Sequence, residues 1–146
     1  MRRLILAPLV PLLAIALGCG GADSFTLAPT DANVAGTFLL HTANGHSLPV
    51  DAGATLDGSA EIYQTADVMT LDGAGKWTEL TTLALQSNID NSEQTQTTAS
   101  TGAYTIEHGQ IDFVRTLNGA ATFSGSVTGA TLTIRYNGST LVYERQ

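Results

Sequence analysis

Six short turn signals, each containing glycine, punctuate the chain beyond residue 40, and they restrict its fold more than any other feature. Asn-Gly pairs stand at 44–45, 118–119 and 137–138, Asp-Gly-Ala-Gly at 72–75, His-Gly at 108–109 and Thr-Gly at 128–129. Asn-Gly readily supplies the two positive φ angles of a type I′ turn, whose twist suits paired strands. Between the turns run short stretches rich in Thr, Val, Ile, Leu and aromatic residues, and no window after residue 35 carries a helical apolar stripe. Such a chain is expected to be an all-β meander.

The turns can be tested for register. In a hairpin with a two-residue loop, partner positions sum to a constant, and opposed residues share a face. With His108-Gly109 as the loop, Ile106 faces Ile111 and Tyr104 faces Phe113, while Thr105, Glu107, Gln110 and Asp112 take the other face. With Thr128-Gly129 as the loop, Val127 meets Ala130, Gly125 meets Leu132 and Phe123 meets Ile134. With Asn137-Gly138, Ile134 meets Leu141 and Leu132 meets Tyr143, so residues 121–143 form three strands with one apolar face. Asn118-Gly119 breaks the scheme, because a two-residue loop there would put Phe113 and Phe123 on opposite faces. A bulge or an odd-length loop is therefore expected between 113 and 122.

Upstream, residues 67–72 and 76–86 read as a hairpin, with Met69, Leu71, Trp77, Leu83 and Leu85 as its apolar face; Glu79 and Thr81 share the parity of Trp77 and interrupt it. The polar run 86–100, QSNIDNSEQTQTTAS, reads as a mobile hairpin tip or as frayed strand ends around a loop.

The N-terminus is of a different kind. Arg2 and Arg3 precede an apolar run at 4–17, LILAPLVPLLAIAL, too short and proline-broken for a comfortable membrane span, which needs about 20 residues. It reads as an export signal over residues 1–18. The run Ala16-Leu17-Gly18-Cys19 resembles the lipobox of bacterial lipoproteins, with Ala16 where that family more often has Leu. The resemblance implies cleavage before Cys19, acylation of its thiol and usually of its new amine, and attachment to the membrane outside the cytoplasm. Two or three acyl chains anchor stably where one binds marginally. Gly20 in place of Asp implies the outer membrane, again by resemblance. Cys19 is the only cysteine, so an acylated chain would hold its fold by packing alone.

The formal net charge is −7, and loss of Arg2 and Arg3 with the signal makes it −9. That excludes the basic patch a nucleic-acid partner requires. Residues 19–34 are small and polar and read as a flexible tether, leaving residues 35–146 as one domain.

The run GTFLLHTANGHSLP is similar to the opening of small lipocalin-like bacterial envelope proteins. LDGAGKW, TGAYTIEHGQIDF, FSGSVTGATLTIRY and LVYER look like that group's later strands in the same order, over about residues 35–145. The resemblance implies an up-and-down antiparallel β-barrel of about eight strands, lipocalin-like, with no established activity to transfer. Eight strands leave an interior that side chains fill or that holds one small ligand. Phe38, Leu40, Trp77, Tyr104, Phe113, Phe123, Ile134 and Tyr143 are the candidate barrel-interior residues for a small apolar ligand, with Ile106 beside them. Gly125, Ala130 and Ser139 share the inward face and could leave a gap. The alternative is a structural or protein-interaction lipoprotein, an inhibitor or assembly accessory, with a filled core.

No catalytic motif is present, and an enzyme is not expected. Asp51, Asp57, Asp67, Asp72 and Asp90 are placed in loops, where Asp makes turns, and Lys76 and Arg135 read as solvated strand-face charges. Around Asn44-Gly45, Ala43 opposes His46 and His41 opposes Leu48, so the two histidines share a face about 7 Å apart. Phe38 and Leu40 take the other, core face, which turns the histidines to solvent. Zinc needs three or four ligands and His108 lies in a distant turn, so neither a metal site nor a cofactor is expected.

Overall fold

The structure, a computed structural model, describes residues 31–116 and 120–146. One helical turn, α1 (Asp31–Val34), precedes the strands β1 (Gly36–Ala43), β2 (His46–Ser47), β3 (Val50–Ala54), β4 (Ala60–Leu71), β5 (Lys76–Ser87), β6 (Glu93–Glu107), β7 (Gln110–Arg115), β8 (Ala121–Thr128), β9 (Thr131–Tyr136) and β10 (Ser139–Arg145). From β4 to β10 every strand pairs antiparallel with its successor, and β1 pairs with both β10 and β4. That second pairing closes an up-and-down barrel of eight strands, β1 and β4 to β10, which removes most of the exposed edge from a Thr-rich sheet.

The turns act as their residues dictate. Asn44, His108 and Asn137 have φ of 51°, 50° and 49°, each followed by a glycine near 80°, the two positive angles of a I′ turn. Tyr104 then opposes Phe113, and Leu141 opposes Ile134, as expected. Phe113 opposes Phe123 and Arg115 opposes Ala121, so the β7–β8 connection is an odd-length loop. The Asn118-Gly119 pair lies within 117–119, outside the described residues, as do the signal and Cys19.

Four expectations need correction. First, the β8–β9 loop is Gly129-Ala130, with Thr128 opposite Thr131 and Gly125 opposite Ile134. Gly129 has the positive φ, 60°, which suits the first position of a II′ turn. Each partner moves by two residues, so every side chain keeps its face. Second, the hairpin tip expected over residues 86–100 is confined to residues 88–92, and the rest is strand, because pairing of β5 with β6 runs unbroken from Lys76↔Ala103 to Gln86↔Glu93. Threonine fits a pleated sheet and tolerates water on an antiparallel face.

Third, the stretch assigned to the tether ends in structure: α1 forms there, and Val34 is wholly buried. Fourth, the β1 register slips between Leu40 and Thr42, making His41 a bulge residue. Only Thr42↔Ser47 and Ala43↔His46 pair β1 with β2, so His41 does not face Leu48 in a ladder.

Strands β4, β5 and β6 run 12, 12 and 15 residues, against six to eight for the other barrel strands. Their extra length rises above the barrel rim as a wing, with β3 added along the β4 edge. The rim at this upper end also carries the Asn44 and Asn137 turns. The lower end carries the Asp72, His108 and Gly129 turns and is closed by α1.

Candidate functional site

The eight residues expected inside the barrel do lie there, and they fill its lower and middle levels. Phe38, Leu40, Trp77, Tyr104, Phe113, Phe123, Ile134 and Tyr143 are all buried, joined by Val34, Met69, Leu71, Ile111 and Leu132. Phe113 and Phe123 stack with centroids 4.8 Å apart, and the Trp77 ring meets Phe123 edge-on at 5.4 Å. The Trp77 indole donates to the Ala103 carbonyl at 3.1 Å, and the Tyr104 hydroxyl donates to the Asp72 carbonyl. Gly125 leaves no gap, because a Cβ there would lie 3.2 Å from the Phe113 ring and 2.7 Å from the Thr133 carbonyl oxygen.

Above this apolar packing the interior becomes polar. Asp67, expected in a loop, sits on β4 at 3% exposure, opposite Thr81 of β5. Its Oδ2 accepts from Gln64 Nε2 at 2.9 Å and Thr81 Oγ1 at 3.1 Å. Glu79, half-buried, is its diagonal neighbour on the same face. The Tyr143 hydroxyl donates to Glu79 Oε1 at 3.5 Å, and Arg115 Nη2 lies 4.0 Å from Glu79 Oε2. The Arg115 guanidinium also stands 5.6 Å from the Tyr136 ring centroid. Burial, reinforced by the Glu79 charge, pushes Asp67 up to about 8, so this carboxyl is largely protonated at neutral pH. Burial raises Glu79 as well, against the pull of Arg115. Tyr143 is raised by burial and by the two carboxylates beside it.

Over this layer the barrel has a mouth. Above Leu39 and Val68, β1 and β4 separate, and β2 and β3 occupy the opening on either side of the cis Leu48–Pro49 bond. The result is an open cleft of about 600 Å³. Ala43, Gln64, Ser139 and Leu141 line it from the barrel, and His46, Pro49, Val50 and Asp51 line it from the β2–β3 flap. Apolar and hydrogen-bonding groups alternate around it. Gln64 belongs both to the cleft wall and to the Asp67 hydrogen bonds, so the buried carboxyl lies one side chain behind the cleft.

His41 and His46 are both exposed, and His46 alone of the two lines the cleft. Among the described residues no group of three or more His, Cys, Asp or Glu is placed to hold a metal ion. The remaining loop acids are turn formers: Asp57 accepts from the Ser59 amide, Asp72 from the Ala74 and Lys76 amides, and Asp90 from the Ser92 amide. Asp51 lies on β3 rather than in a loop and accepts from the Gly53 amide at 2.7 Å.

Sequence reading overlooked Asp67, Glu79 and Arg115 as a group, although a signal was present. Asp67 has the parity of Met69 and Leu71, Glu79 that of Trp77, and Arg115 that of Ile111 and Phe113. Alternation puts all three inward, while the general rule that charges face water argues the other way. No protein-family model matches the chain, and no curated protein matches it either.

Proposed function

We propose that the chain is a lipid-anchored protein of the bacterial cell envelope, held at the outer membrane through acyl groups on Cys19, that binds a small molecule in the mouth of its barrel. It acts as a binding protein and not as an enzyme. The observation that carries this reading is the cleft of about 600 Å³ at the open end of a barrel closed at its other end. Clefts of about 300–1,000 Å³ suit small ligands, and barrel mouths are a recurrent place for them. The lipobox-like run ending in Cys19 supports the anchor.

This reading puts the ligand above the eight aromatic and aliphatic residues expected to hold it, which are buried together as a core. Ala43, Pro49, Val50 and Leu141 would take its apolar part, and Gln64, Ser139 and Asp51 its polar groups.

Native mass spectrometry of the protein purified from its own host membranes tests the reading. A retained small molecule, lost when Leu141→Trp blocks the cleft, supports it. A bare protein mass, or a ligand retained by the blocked variant, refutes it. Radioactive palmitate tests the anchor: Cys19→Ser should abolish the label, and an undiminished label would refute acylation at this residue. The filled interior favours a second reading, a protein-interaction lipoprotein without a small ligand, and a bare mass in the same experiment supports that one.

A further inference from the structure

The polar layer beneath the cleft holds two carboxyls against one guanidinium, and a proton on Asp67 balances it at neutral pH. Asp67 and Glu79 project into it, and Arg115 is the basic group that faces them. The other elements contribute neutral groups: Leu40 from β1, Ser100 from β6, Ala121 from β8, Tyr136 from β9 and Tyr143 from β10. Arg145 is engaged at the lower end with the carbonyls of Asn33 and Ala35. Two buried polar atoms of this layer have no hydrogen-bond partner, Asp67 Oδ1 and Arg115 Nε. Asp67 Oδ2 accepts from Gln64 and Thr81 and the Tyr143 hydroxyl stands beside the same carboxyl, while Oδ1 is buried with no partner within hydrogen-bond distance. A buried carboxyl oxygen left unpaired is costly enough to call for an occupant.

Gln64, which lines the cleft, donates to Oδ2 of the same carboxyl, so the way from the cleft to Asp67 passes this side chain. The cleft wall carries Asp51 and no Lys or Arg, and His46 is its one other titratable group. An acidic, partly enclosed surface concentrates cations and repels carboxylates and phosphates.

We propose that the ligand of this cleft carries a protonated amine, whose ammonium displaces the Gln64 carboxamide and donates to the Asp67 carboxylate. This rests on the cleft being a binding site and names the chemistry of what it binds. An ammonium fits better than a metal ion, because it needs few donors and one face of Glu79 is already committed to Arg115. In the empty protein a proton on Asp67 plays the same part. The carboxylic acid therefore gives up that proton to solvent as the ammonium arrives, leaving a carboxylate–ammonium pair.

The test is calorimetric titration of the full chain in detergent at pH 7 with n-butylammonium, against n-butanol and butyrate as neutral and anionic counterparts. Running it in two buffers of different ionisation enthalpy counts the protons released. Butylammonium should bind with release approaching one proton, and the other two should bind at least tenfold more weakly. Asp67→Asn should weaken butylammonium at least tenfold, whereas Glu61→Gln on the exposed wing should not. Infrared spectra of the unmutated protein give a readout independent of any variant's folding, since the band of a protonated carboxylic acid should disappear on adding butylammonium.

Absence of saturable butylammonium binding up to about 10 mM, a range that detects dissociation constants of about 1 mM, overturns the proposal. So does equal binding of butanol, or an unchanged infrared band. A cleft ligand found by native mass spectrometry that has no amine would overturn this proposal and leave the binding reading standing. A bare mass there would end both.

Discussion

The Arg145 guanidinium lies over the Phe38 ring, 4.7 Å from its centroid, and donates to the carbonyls of Ala35 at 2.5 Å and Asn33 at 3.0 Å. One side chain from the last strand thus seals the lower end of the barrel against the first strand and the helical turn. Gly36 makes room for it, since a Cβ there would come within 2.6 Å of the guanidinium. Arg145→Ala should cost about 2–3 kcal/mol, combining a cation–π contact with two charge-assisted hydrogen bonds. Urea unfolding measures this. Arg145→Lys should recover less than half, because a point charge cannot bond two carbonyls and cover a ring together.

Gly102 sits inward on β6 beneath the indole of Trp77. A Cβ at this position would lie 1.9 Å from the Val114 carbonyl oxygen and 2.6 Å from Trp77 Nε1. Since the nearest obstacle is backbone, the sheet itself must shift. Gly102→Ala should therefore lose about 3 kcal/mol or more, the upper range for overpacking. Gly73, with nothing within 4 Å of its Cβ, is the control, and Gly73→Ala should leave the melting temperature nearly unchanged.

Asp67 makes stability depend on pH. Its folded pKa of about 8 stands above the ordinary 3.8, so folding takes up a proton. The stability this allows is complete below about pH 4 and is lost as pH rises toward 8, by at most about 1.4 kcal/mol per unit for one proton. Glu79, raised by its burial, acts in the same direction. Unfolding curves at a series of pH values should slope downward, and Asp67→Asn should flatten them and stabilise the protein at about pH 9. A stability that rises between pH 5 and 8 in the unmutated protein would contradict the protonated Asp67.

Asp72 organises the lower turn between β4 and β5. Its Oδ1 accepts from the Ala74 amide at 2.9 Å and the Lys76 amide at 2.8 Å, and its carbonyl receives the Tyr104 hydroxyl. Asp72→Ala frees two amides to water and should cost about 1 kcal/mol. Tyr104→Phe, which leaves the turn intact, should cost a similar amount by removing one hydrogen bond. Thermal denaturation of the two variants and their double mutant would show whether the turn and the ring act independently.

Much of the barrel was legible because its information is local. The turn at Asn137-Gly138 dictates that Ile134 meets Leu141, and nothing distant needs to be known. Even the β8–β9 loop, read one residue too early, left each side chain on its proper face, since the error moved every partner by two. Residues 93–100 were misread for the opposite reason. Their polarity suggests a loop, and only an extended β5 ladder alongside turns a threonine-rich segment into a strand.

Alternation and turn residues in the sequence by themselves determine most of the strands, the meander that links them and the inward set that includes Phe38, Trp77, Phe113 and Tyr143. They depend on backbone geometry over a few residues, which the chain carries at every point. The tertiary structure alone decides that β1 closes on β4, that these strands then part to form a mouth, and that Asp67, Glu79 and Arg115 meet beneath it. Asp67 and Arg115 are 48 positions apart in the chain. Their protonation and partners arise only when closure removes water from the space between them, and no local pattern encodes that loss of solvent.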